Sequence, residues 1–231
     1  MTAKQEKLLQ LMIALKELAE EIQMEYVIHS GTLLGAVREE GFIPWDEDVD
    51  IVLTRDHYDA LSLFLTSQSI YEIDKYSGWV PRFRLKSEPD VYLDLFIIDY
   101  LPSMKVQRRI KLFRLKMLQG MLKKDIKFRE YKGVYLLPVV VTYYLGRLFS
   151  RNWLIDRYHT VSKTKDTSDT IHISNELFRF IGLSYQQCFF AEKIFLNFEG
   201  IMFTAPKNWD QALRLYYGDD YMVPKRVDYF A

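Results

Sequence analysis

The chain has 231 residues, of which 49% are apolar and 15% aromatic, so it can bury a sizeable core and is not a disordered protein. This length suits one domain, or one domain with a helical extension. The single cysteine, Cys188, excludes an internal disulfide framework and indicates a reducing compartment. Residues 1–25 carry charges throughout, and the longest nearly apolar run, 134–145, contains Pro138. We therefore expect neither a secretory signal nor a membrane span.

The formal net charge of zero conceals an uneven distribution of charge along the chain. Residues 1–100 hold 9 Lys and Arg against 19 Asp and Glu, a net charge of −10. Residues 101–132 hold 11 Lys and Arg against 2 Asp and Glu, a net charge of +9. The acidic first segment predicts cation binding, and the basic second segment predicts contact with anions or with a membrane surface.

The first hundred residues alternate between helical and strand patterns. Thr2 and Gln5 predict a capping box for a first helix that ends near Glu25, and apolar residues 26–28 predict a short buried strand. A Gly-Thr turn then opens a short second helix. Further elements are a helix at 56–67 and strands at 49–53, 70–74, 80–86 and 91–98. This alternation favours a mixed α/β or α+β sheet with helices packed on it.

The second half of the chain begins with a basic helical pattern. Residues 103–131 are rich in Lys and Arg, 153–161 predict another helix, and polar 163–170 predicts a linker. Glu199-Gly200, between two apolar runs, predicts a hairpin. Asn208 and Gly218 predict the cap and the stop of a last short helix. We divide the chain into a core at 1–102, a helical segment at 103–165 and a C-terminal segment at 166–231 that packs back on the core.

Carboxylates cluster where one predicted strand begins. Asp48 and Asp50 are two residues apart, and strand positions i and i+2 face one side, roughly 7 Å apart. Carboxylates about 4 Å apart repel by roughly 4 kcal/mol at an effective dielectric near 20, and a divalent cation would reverse that penalty. An oxygen-only site favours Mg²⁺ or Mn²⁺. Asp94, a lone charge in the apolar strand at 91–98, is the expected third ligand, whereas Asp99 is expected to cap a turn.

Simpler explanations exist for each of these features taken alone. An acidic cluster at a strand end is usually a solvated loop. Asp46-x-Asp48-x-Asp50 matches the start of a calcium-binding loop, but the sixth position is Ile51 instead of Gly and the twelfth is His57 instead of Glu. The Gly-Thr turn lacks the Lys of a P-loop and the third Gly of a dinucleotide fingerprint. The ordered combination of the turn, the Asp-x-Asp strand and a later Asp is far more specific.

That combination resembles the nucleotidyltransferase superfamily, and the run HSGTLLGAVREEGFIPWDEDVDI at 29–51 resembles the signature of the LicD family of phosphotransferases. Later stretches are also similar to that family: Leu93-Asp94-Leu95-Phe96, Phe198-Glu199-Gly200 and Leu215-Tyr216-Tyr217-Gly218-Asp219. The resemblance implies an α+β fold, with a nucleotidyltransferase-like mixed sheet flanked by helices, a basic helical extension and a C-terminal hairpin and helix. Residues 103–190 carry almost no matching motif.

The resemblance also implies a role for the acidic residues. Asp48, Asp50 and Asp94 would be the catalytic residues and would hold one or two Mg²⁺ ions, which clamp the oxygens of a phosphoryl transfer. Asp46 would order the loop. His29 is expected to be a hydrogen-bonded structural residue.

A second implied group of residues would bind a nucleotide donor. Its members are Ser30, Gly31, Thr32, Arg38 and Trp45. Backbone N–H groups at the turn and the Arg38 guanidinium would approach the phosphates, and Trp45 would stack on the base. A salt bridge to a nearby Glu explains Arg38 equally well, and Trp45 could simply wedge the loop.

The implied reaction is the transfer of phosphocholine from CDP-choline, or of a similar group from a CDP-activated donor. The acceptor would be a hydroxyl of a cell-surface glycan, such as lipopolysaccharide or teichoic acid, or of its lipid-linked precursor. The protein is then expected in the cytoplasm at the inner face of the membrane, where basic 105–132 and aromatic 135–149 suit surface contact. No nucleic-acid partner is expected. Alternatives are nucleotidyl transfer from an NTP with release of pyrophosphate, glycosyl transfer with Mn²⁺, and a donor-binding module without activity.

Overall fold

The structure is a computed structural model and describes residues 1–67, 70–126, 136–164 and 168–224. Its helices are α1 (Ala3–Glu21), α2 (Ser30–Arg38), α3 (Arg55–Leu65), α4 (Lys105–Leu122), α5 (Leu136–Gly146), α6 (Arg151–Ser162) and α7 (Trp209–Tyr217). Its strands are β1 (Tyr26–Ile28), β2 (Asp50–Thr54), β3 (Tyr71–Asp74), β4 (Arg82–Leu85), β5 (Tyr92–Tyr100), β6 (Thr170–Ile173), β7 (Tyr185–Gln186), β8 (Lys193–Phe198) and β9 (Ile201–Pro206). A 3₁₀ turn, Gln187–Phe190, separates β7 from β8.

Strands β1 to β7 form one mixed sheet, in which five strands follow the order β1-β2-β5-β4-β3. β2 and β5 are parallel, and the other pairs are antiparallel. β4 and β6 pair with the same edge of β5, β4 with the N-terminal part of β5 and β6 with its C-terminal part. β7 pairs with β6. β8 and β9 form a separate hairpin that packs against β1 and α2. The expected α+β class, a mixed sheet flanked by helices, is confirmed.

One side chain fills the gap between β4 and β6 along the edge of β5. The buried Asn175 side chain accepts a hydrogen bond from the Ile97 N–H (2.7 Å) and donates one to the Leu95 carbonyl oxygen (2.8 Å). It thereby satisfies two backbone groups in the middle of β5 that neither neighbouring strand reaches. The same contact fixes the position of the next residue, Glu176.

Most elements predicted for the first hundred residues are present. The capping box between Thr2 and Gln5 is formed, and β1 has its predicted bounds. α1 ends at Glu21, before the predicted Glu25, because the chain turns at Gln23, which has a positive φ of 53°.

The second half of the chain departs more from expectation. The hairpin forms around Glu199 and Gly200, whose φ values of 52° and 80° suit a two-residue turn. Asn208 and Gly218 are the N-cap and C-cap residues of α7, as predicted, but the Asn208 side chain makes no capping hydrogen bond. The sequence does not predict β6 and β7, which have only 4 and 2 residues. Predictions for 127–135, in the basic segment, and for 165–167, in the linker, lie outside the described residues. The division into three segments stays a prediction.

Two groups of buried apolar side chains form the interior. The larger group lies between the sheet and α1, α2, α3, α7 and the β8–β9 hairpin. The smaller group joins α4 to α6 and includes Leu115, Ile155 and Tyr158. The basic helical segment therefore packs around a second core, to which Ile181 of the C-terminal segment also contributes.

α5 packs on the C-terminal half of α4 through two glycines. A methyl group at Gly120 would collide with the Thr142 side chain, and one at Gly146 would collide with the Met121 carbonyl oxygen. The two helices therefore approach each other at backbone distance. In the part of the chain that the structure describes, no helix is long and apolar enough to cross a bilayer.

Candidate active site

A row of charged side chains crosses the middle of the sheet. Asp50 at the start of β2 is the register partner of Asp94 on β5, and Asp94 is in turn the partner of Arg82 on β4. Register partners point to the same face of a sheet. The Arg82 Nε donates to Asp94 Oδ1 (3.1 Å), and its guanidinium lies 3.7 Å from the centre of the Tyr92 ring. The sequence predicts the two aspartates here but not Arg82, which the alternating Arg-Phe-Arg-Leu pattern of β4 could have indicated.

Asp48 reaches the same place from the loop that precedes β2. Its side chain is exposed, and β2 begins at Asp50, one residue later than predicted. The Asp50 N–H donates to the Thr32 hydroxyl (2.9 Å). The Asp48 carboxyl group lies close enough to those of Asp46 and Asp50 to raise the pKa of both. Loop contacts as well as strand alternation therefore hold Asp48 beside Asp50.

Burial and mutual repulsion raise the pKa values of these carboxyl groups. Burial, and then the Asp48 carboxyl group, raise the pKa of Asp46 to about 7. Burial raises the pKa of Asp94 to about 6, although the Arg82 guanidinium opposes that shift. The pKa of Asp50 lies well above its ordinary value, because of burial and then of the charges on Asp48 and Asp94. Burial is the largest cause of each shift, and the charge of neighbouring carboxylates adds to it.

The donor atoms of this cluster fit a hard divalent cation in their chemistry. They are all carboxylate oxygens, and a positive ion would relieve the repulsion between them. Within the described residues, no three His, Cys, Asp or Glu side chains already form a metal-binding group. Asp94 also shares one oxygen with Arg82. Asp48, Asp50 and Asp94 therefore stay the predicted ligands, and metal binding requires their side chains to turn towards one another.

The Gly-Thr turn supports the acidic loop. A Cβ at Gly31 would lie only 2.6 Å from Asp46 Oδ2, so glycine lets the loop lie on the first turn of α2. Ser30 has a positive φ of 45°, which costs a non-glycine residue roughly 1–3 kcal/mol. Its hydroxyl lies 3.0 Å from that of Tyr217. Ser30, Gly31 and Thr32 therefore organise the cluster, and their contact with donor phosphates stays a prediction.

Arg38 and Trp45 have opposite environments. The Arg38 side chain is only 7% exposed and donates to the Glu39 carboxylate (2.8 Å) and the Tyr221 carbonyl oxygen (3.2 Å). The salt bridge considered as its alternative role is therefore present. Trp45 is 45% exposed, next to the acidic loop. Arg82 contacts the carboxylate cluster directly, whereas these contacts of Arg38 hold the C-terminal segment.

Asp99 does not cap a turn, so that prediction is wrong. It lies within β5, and because it is five residues from Asp94 it faces the other side of the sheet. There its carboxylate accepts two hydrogen bonds from Arg55 (3.0 and 2.6 Å) and one from the Ser174 hydroxyl (2.5 Å). A cavity of about 260 Å³ adjoins this ion pair, at the end of β2 and β5 far from the carboxylate cluster.

Two comparisons relate this geometry to known proteins. Residues 23–139 match the family model described as LicD/FKTN/FKRP, nucleotidyltransferase domain, and this match includes the Gly-Thr turn and Asp48, Asp50 and Asp94. The chain belongs to the LicD family. By that membership it is an enzyme, a transferase of the LicD type.

Two individual relatives match this chain over very different lengths. The lipopolysaccharide cholinephosphotransferase LicD of Haemophilus influenzae is 25% identical over 240 residues, which cover 91% of this chain and 87% of that protein. An uncharacterized protein of Rickettsia prowazekii is 48% identical over 56 residues, which cover 24% of this chain and 20% of that protein. The first similarity spans the helical and C-terminal segments as well as the core.

The LicD-like motifs at the two ends of the chain lie together in the fold. Tyr217 reaches Ser30, and Arg38 holds the Tyr221 carbonyl group. The Glu199 carboxylate accepts a hydrogen bond from the Phe42 N–H (3.0 Å) and so fixes the loop between α2 and the acidic cluster. Motifs that are distant in sequence therefore build one site.

Behind these LicD motifs lies a buried carboxylate that carries no motif of its own. Glu176 Oε2 lies 3.2 Å from His29 Nε2 and accepts a hydrogen bond from the Tyr216 hydroxyl (2.7 Å). The His29 N–H donates to the Asp50 carbonyl oxygen (3.0 Å). The expectation that His29 is a hydrogen-bonded structural residue is confirmed. The sequence does not predict a role for Glu176, because the surrounding residues 174–177 form no recognisable motif.

Proposed function

We propose that this LicD-family enzyme transfers phosphocholine, or a similar phosphate-linked group, from a CDP-activated donor such as CDP-choline. The acceptor is a hydroxyl of a cell-surface glycan or of its lipid-linked precursor, and the cofactor is Mg²⁺ or Mn²⁺. The observation that carries this proposal is the row of Asp50, Asp94 and Arg82 across three strands. The name of the Haemophilus influenzae relative, a lipopolysaccharide cholinephosphotransferase, supports the choice of group and acceptor.

The row combines ligands for a cation with a binding group for a phosphate. Asp48, Asp50 and Asp94 would hold the metal, which supplies charge neutralisation at the transferred phosphate. The Arg82 guanidinium is partly exposed and can turn from Asp94 to a phosphate oxygen. The acceptor oxygen attacks phosphorus, the P–O bond to CMP breaks, and the hydroxyl proton passes to one of the strand carboxylates.

His29 and Glu176 act as positioning residues in this scheme. His29 holds the Asp50 backbone through its N–H, and its ring is held by the buried Glu176. The Glu176 carboxylate also contributes to the raised pKa of Asp50. Both residues therefore support the first metal-binding strand from behind without touching the phosphate.

Identification of the released product tests the proposal. The protein is incubated with Mg²⁺, a glycan acceptor that lacks phosphocholine, and either CDP-choline, CTP or a UDP-sugar. We expect CMP from CDP-choline and phosphocholine on the glycan, with no product when the metal is chelated. Asp90→Asn, which alters an exposed carboxylate just before β5, is the matched control and should be as active as the parent.

Each other product would replace the proposal with a different function. Pyrophosphate from CTP, without cleavage of a CDP-linked compound, would indicate nucleotidyl transfer. UDP from the sugar donor would indicate glycosyl transfer. Binding of CDP-choline without any turnover would indicate a donor-binding module.

A further inference from the structure

α4 exposes a stripe of apolar side chains on one face. Val106, Ile110 and Phe113 are 63%, 52% and 64% exposed, and their spacing of four and three residues places them side by side. The buried residues of α4, such as Leu115 and Leu118, lie on the opposite face. α4 therefore has apolar residues on two faces, and only one of them is used by the protein core.

α4 cannot rotate this stripe into the core. Lys111, on its buried face, donates three hydrogen bonds through Nζ: to the Tyr100 carbonyl oxygen (2.8 Å), the Ser162 carbonyl oxygen (2.6 Å) and the Thr164 hydroxyl (2.7 Å). All three donors of the ammonium group are thereby used. Rotation of the helix would leave a buried charge without partners, which is costly.

α5 and the turn after it expose further apolar side chains. α5 buries its small residues Thr142 and Gly146 against α4 and exposes long apolar side chains, among them Leu137 and Val141. Leu148 is exposed in the following turn. Next to it, the exposed rings of Phe149 and Trp153 are stacked, with 4.7 Å between their centres.

Basic side chains border the stripe on both sides. At about 100° per residue, Arg109 projects on one side of Val106 and Phe113, and Arg114 on the other. Both arginines are exposed, and across the described ranges 1–67, 70–126, 136–164 and 168–224 neither has an ion-pair partner. α4 contains no acidic residue. A protein interface usually has few charges at its centre and a rim of mixed polar character, whereas borders of one sign match a layer of anionic headgroups.

We propose that the α4–α5 face, defined by Val106, Ile110, Phe113, Val141 and Leu148, docks on an anionic lipid bilayer. The apolar side chains enter the boundary between headgroups and acyl chains, and the bordering arginines contact lipid phosphates. With 11 residues, α5 lies in the surface and does not span it. This inference does not depend on the proposed phosphotransfer, although docking would bring the enzyme to a lipid-linked acceptor.

Flotation with lipid vesicles, without donor or metal, tests the apolar stripe. The parent should float with phosphatidylcholine vesicles that contain phosphatidylglycerol and bind pure phosphatidylcholine far more weakly. The pair Ile110→Ser and Phe113→Ser should weaken binding by about tenfold or more. The matched pair Leu63→Ser and Phe195→Ser, which alters exposed apolar residues of α3 and β8, should bind as the parent does.

The same assay tests the basic borders. Each exposed arginine in contact with the surface contributes about 1 kcal/mol, which is about a fivefold change in binding. Arg109→Gln with Arg114→Gln should therefore weaken binding by about 25-fold and reduce its dependence on salt. Lys16→Gln with Lys207→Gln, on α1 and after β9, removes the same charge elsewhere and should have a much smaller effect.

Three results would overturn the proposal. The first is the absence of flotation with anionic vesicles, and the second is an equal loss of binding in the control pairs. The third is a parent protein that is dimeric and does not bind vesicles, together with an Ile110→Ser and Phe113→Ser variant that is monomeric. The face would then be an interface between two copies of this chain. Thermal unfolding of each variant, with all substitutions at exposed positions, verifies that the fold is intact. Since vesicle binding and CMP release are measured separately, failure of one leaves the other interpretable.

Discussion

The carboxylate cluster and the α4–α5 face use polar and apolar side chains in opposite ways. Around Asp50, polar groups are covered and meet partners from distant segments, such as Thr32, His29 and Arg82. On the α4–α5 face, apolar groups such as Phe113 are exposed, and Arg109 has no ion-pair partner among the described residues. The first region finds its partners within the chain apart from the proposed cation, whereas the second would find them only in the proposed lipid surface. On the two proposals made above, the fold separates the chemistry from the attachment to a surface.

This contrast explains where sequence motifs occur. A site that holds reacting atoms requires particular residues in a fixed geometry. A docking face requires only an apolar stripe with charges beside it, and many sequences satisfy that requirement. The run at 29–51 is therefore recognisable as LicD-like, whereas 103–190 carries almost no matching motif although it belongs to the same chain.

The largest expected effect comes from removing charge from the carboxylate cluster. Asp48→Asn, Asp50→Asn or Asp94→Asn should lower the rate of CMP release by several powers of ten, because each variant loses a proposed metal ligand. The melting temperature without metal should hold or rise, since repulsion between carboxylates is relieved. Vesicle binding by the α4–α5 face should not change. Product release and thermal unfolding measure these effects.

Asp99→Asn provides the matched contrast on the same strand. Asp99 lies on the opposite face of β5 from Asp94, and its substitution breaks the buried ion pair with Arg55. The variant should therefore lose about 3–5 kcal/mol of folding stability. The assignment of the metal ligands would be wrong if Asp48→Asn or Asp50→Asn kept a rate within about tenfold of the parent.

The sequence predicts local features of this site and misses those that depend on register. Asp50 and Asp94 are predictable, because each interrupts an apolar strand. Glu176 is not, because its position depends on the Asn175 contact. The alternating pattern of β4 indicates the face on which Arg82 lies, but its pairing with Asp94 depends on how β4 aligns with β5. The sequence assigns Asp99 wrongly because β5 continues to Tyr100, two residues beyond the predicted strand end.

Two glycines of α2 separate effects on the site from effects on the fold. In Gly31→Ala the new methyl group would displace the Asp46 carboxylate, so turnover should fall by about tenfold or more. The stability of this variant should change little, because alanine favours the helix by about 1 kcal/mol relative to glycine. In Gly35→Ala it would meet the Gly41 carbonyl oxygen, and overpacking of this kind costs about 1–3 kcal/mol. Rates of CMP release and melting temperatures of the two variants form the comparison. If Gly31→Ala lost as much stability as Gly35→Ala but kept full activity, Asp46 would not organise the cluster.

The smallest effect concerns two histidines beside the helical segment, the buried His172 on β6 and the half-buried His159 on α6. Burial lowers the pKa of His172 to about 3 and that of His159 to about 4. His172 Nδ1 lies 3.3 Å from the Ile181 carbonyl oxygen, to which it donates as the neutral ring. Below pH about 6.5 the unfolded chain binds protons at these positions and the folded chain does not, so folding stability falls as the pH is lowered. For His172 the loss between about pH 6.5 and about pH 4.5 is roughly 2 kcal/mol.

The carboxylate cluster contributes with the opposite sign. The raised pKa values of Asp46 and Asp94 mean that the folded chain gains protons there first, so without metal these groups add stability as the pH falls. The measurement is therefore the difference in unfolding free energy between the parent and His172→Gln, taken from urea titrations at several pH values. We expect this difference to shrink by roughly 2 kcal/mol as the pH falls from about 6.5 to about 4.5, because the variant has no imidazole to protonate when it unfolds. A constant difference across that range would mean that His172 is protonated in the folded protein, and that the core under α4 and α6 tolerates the charge.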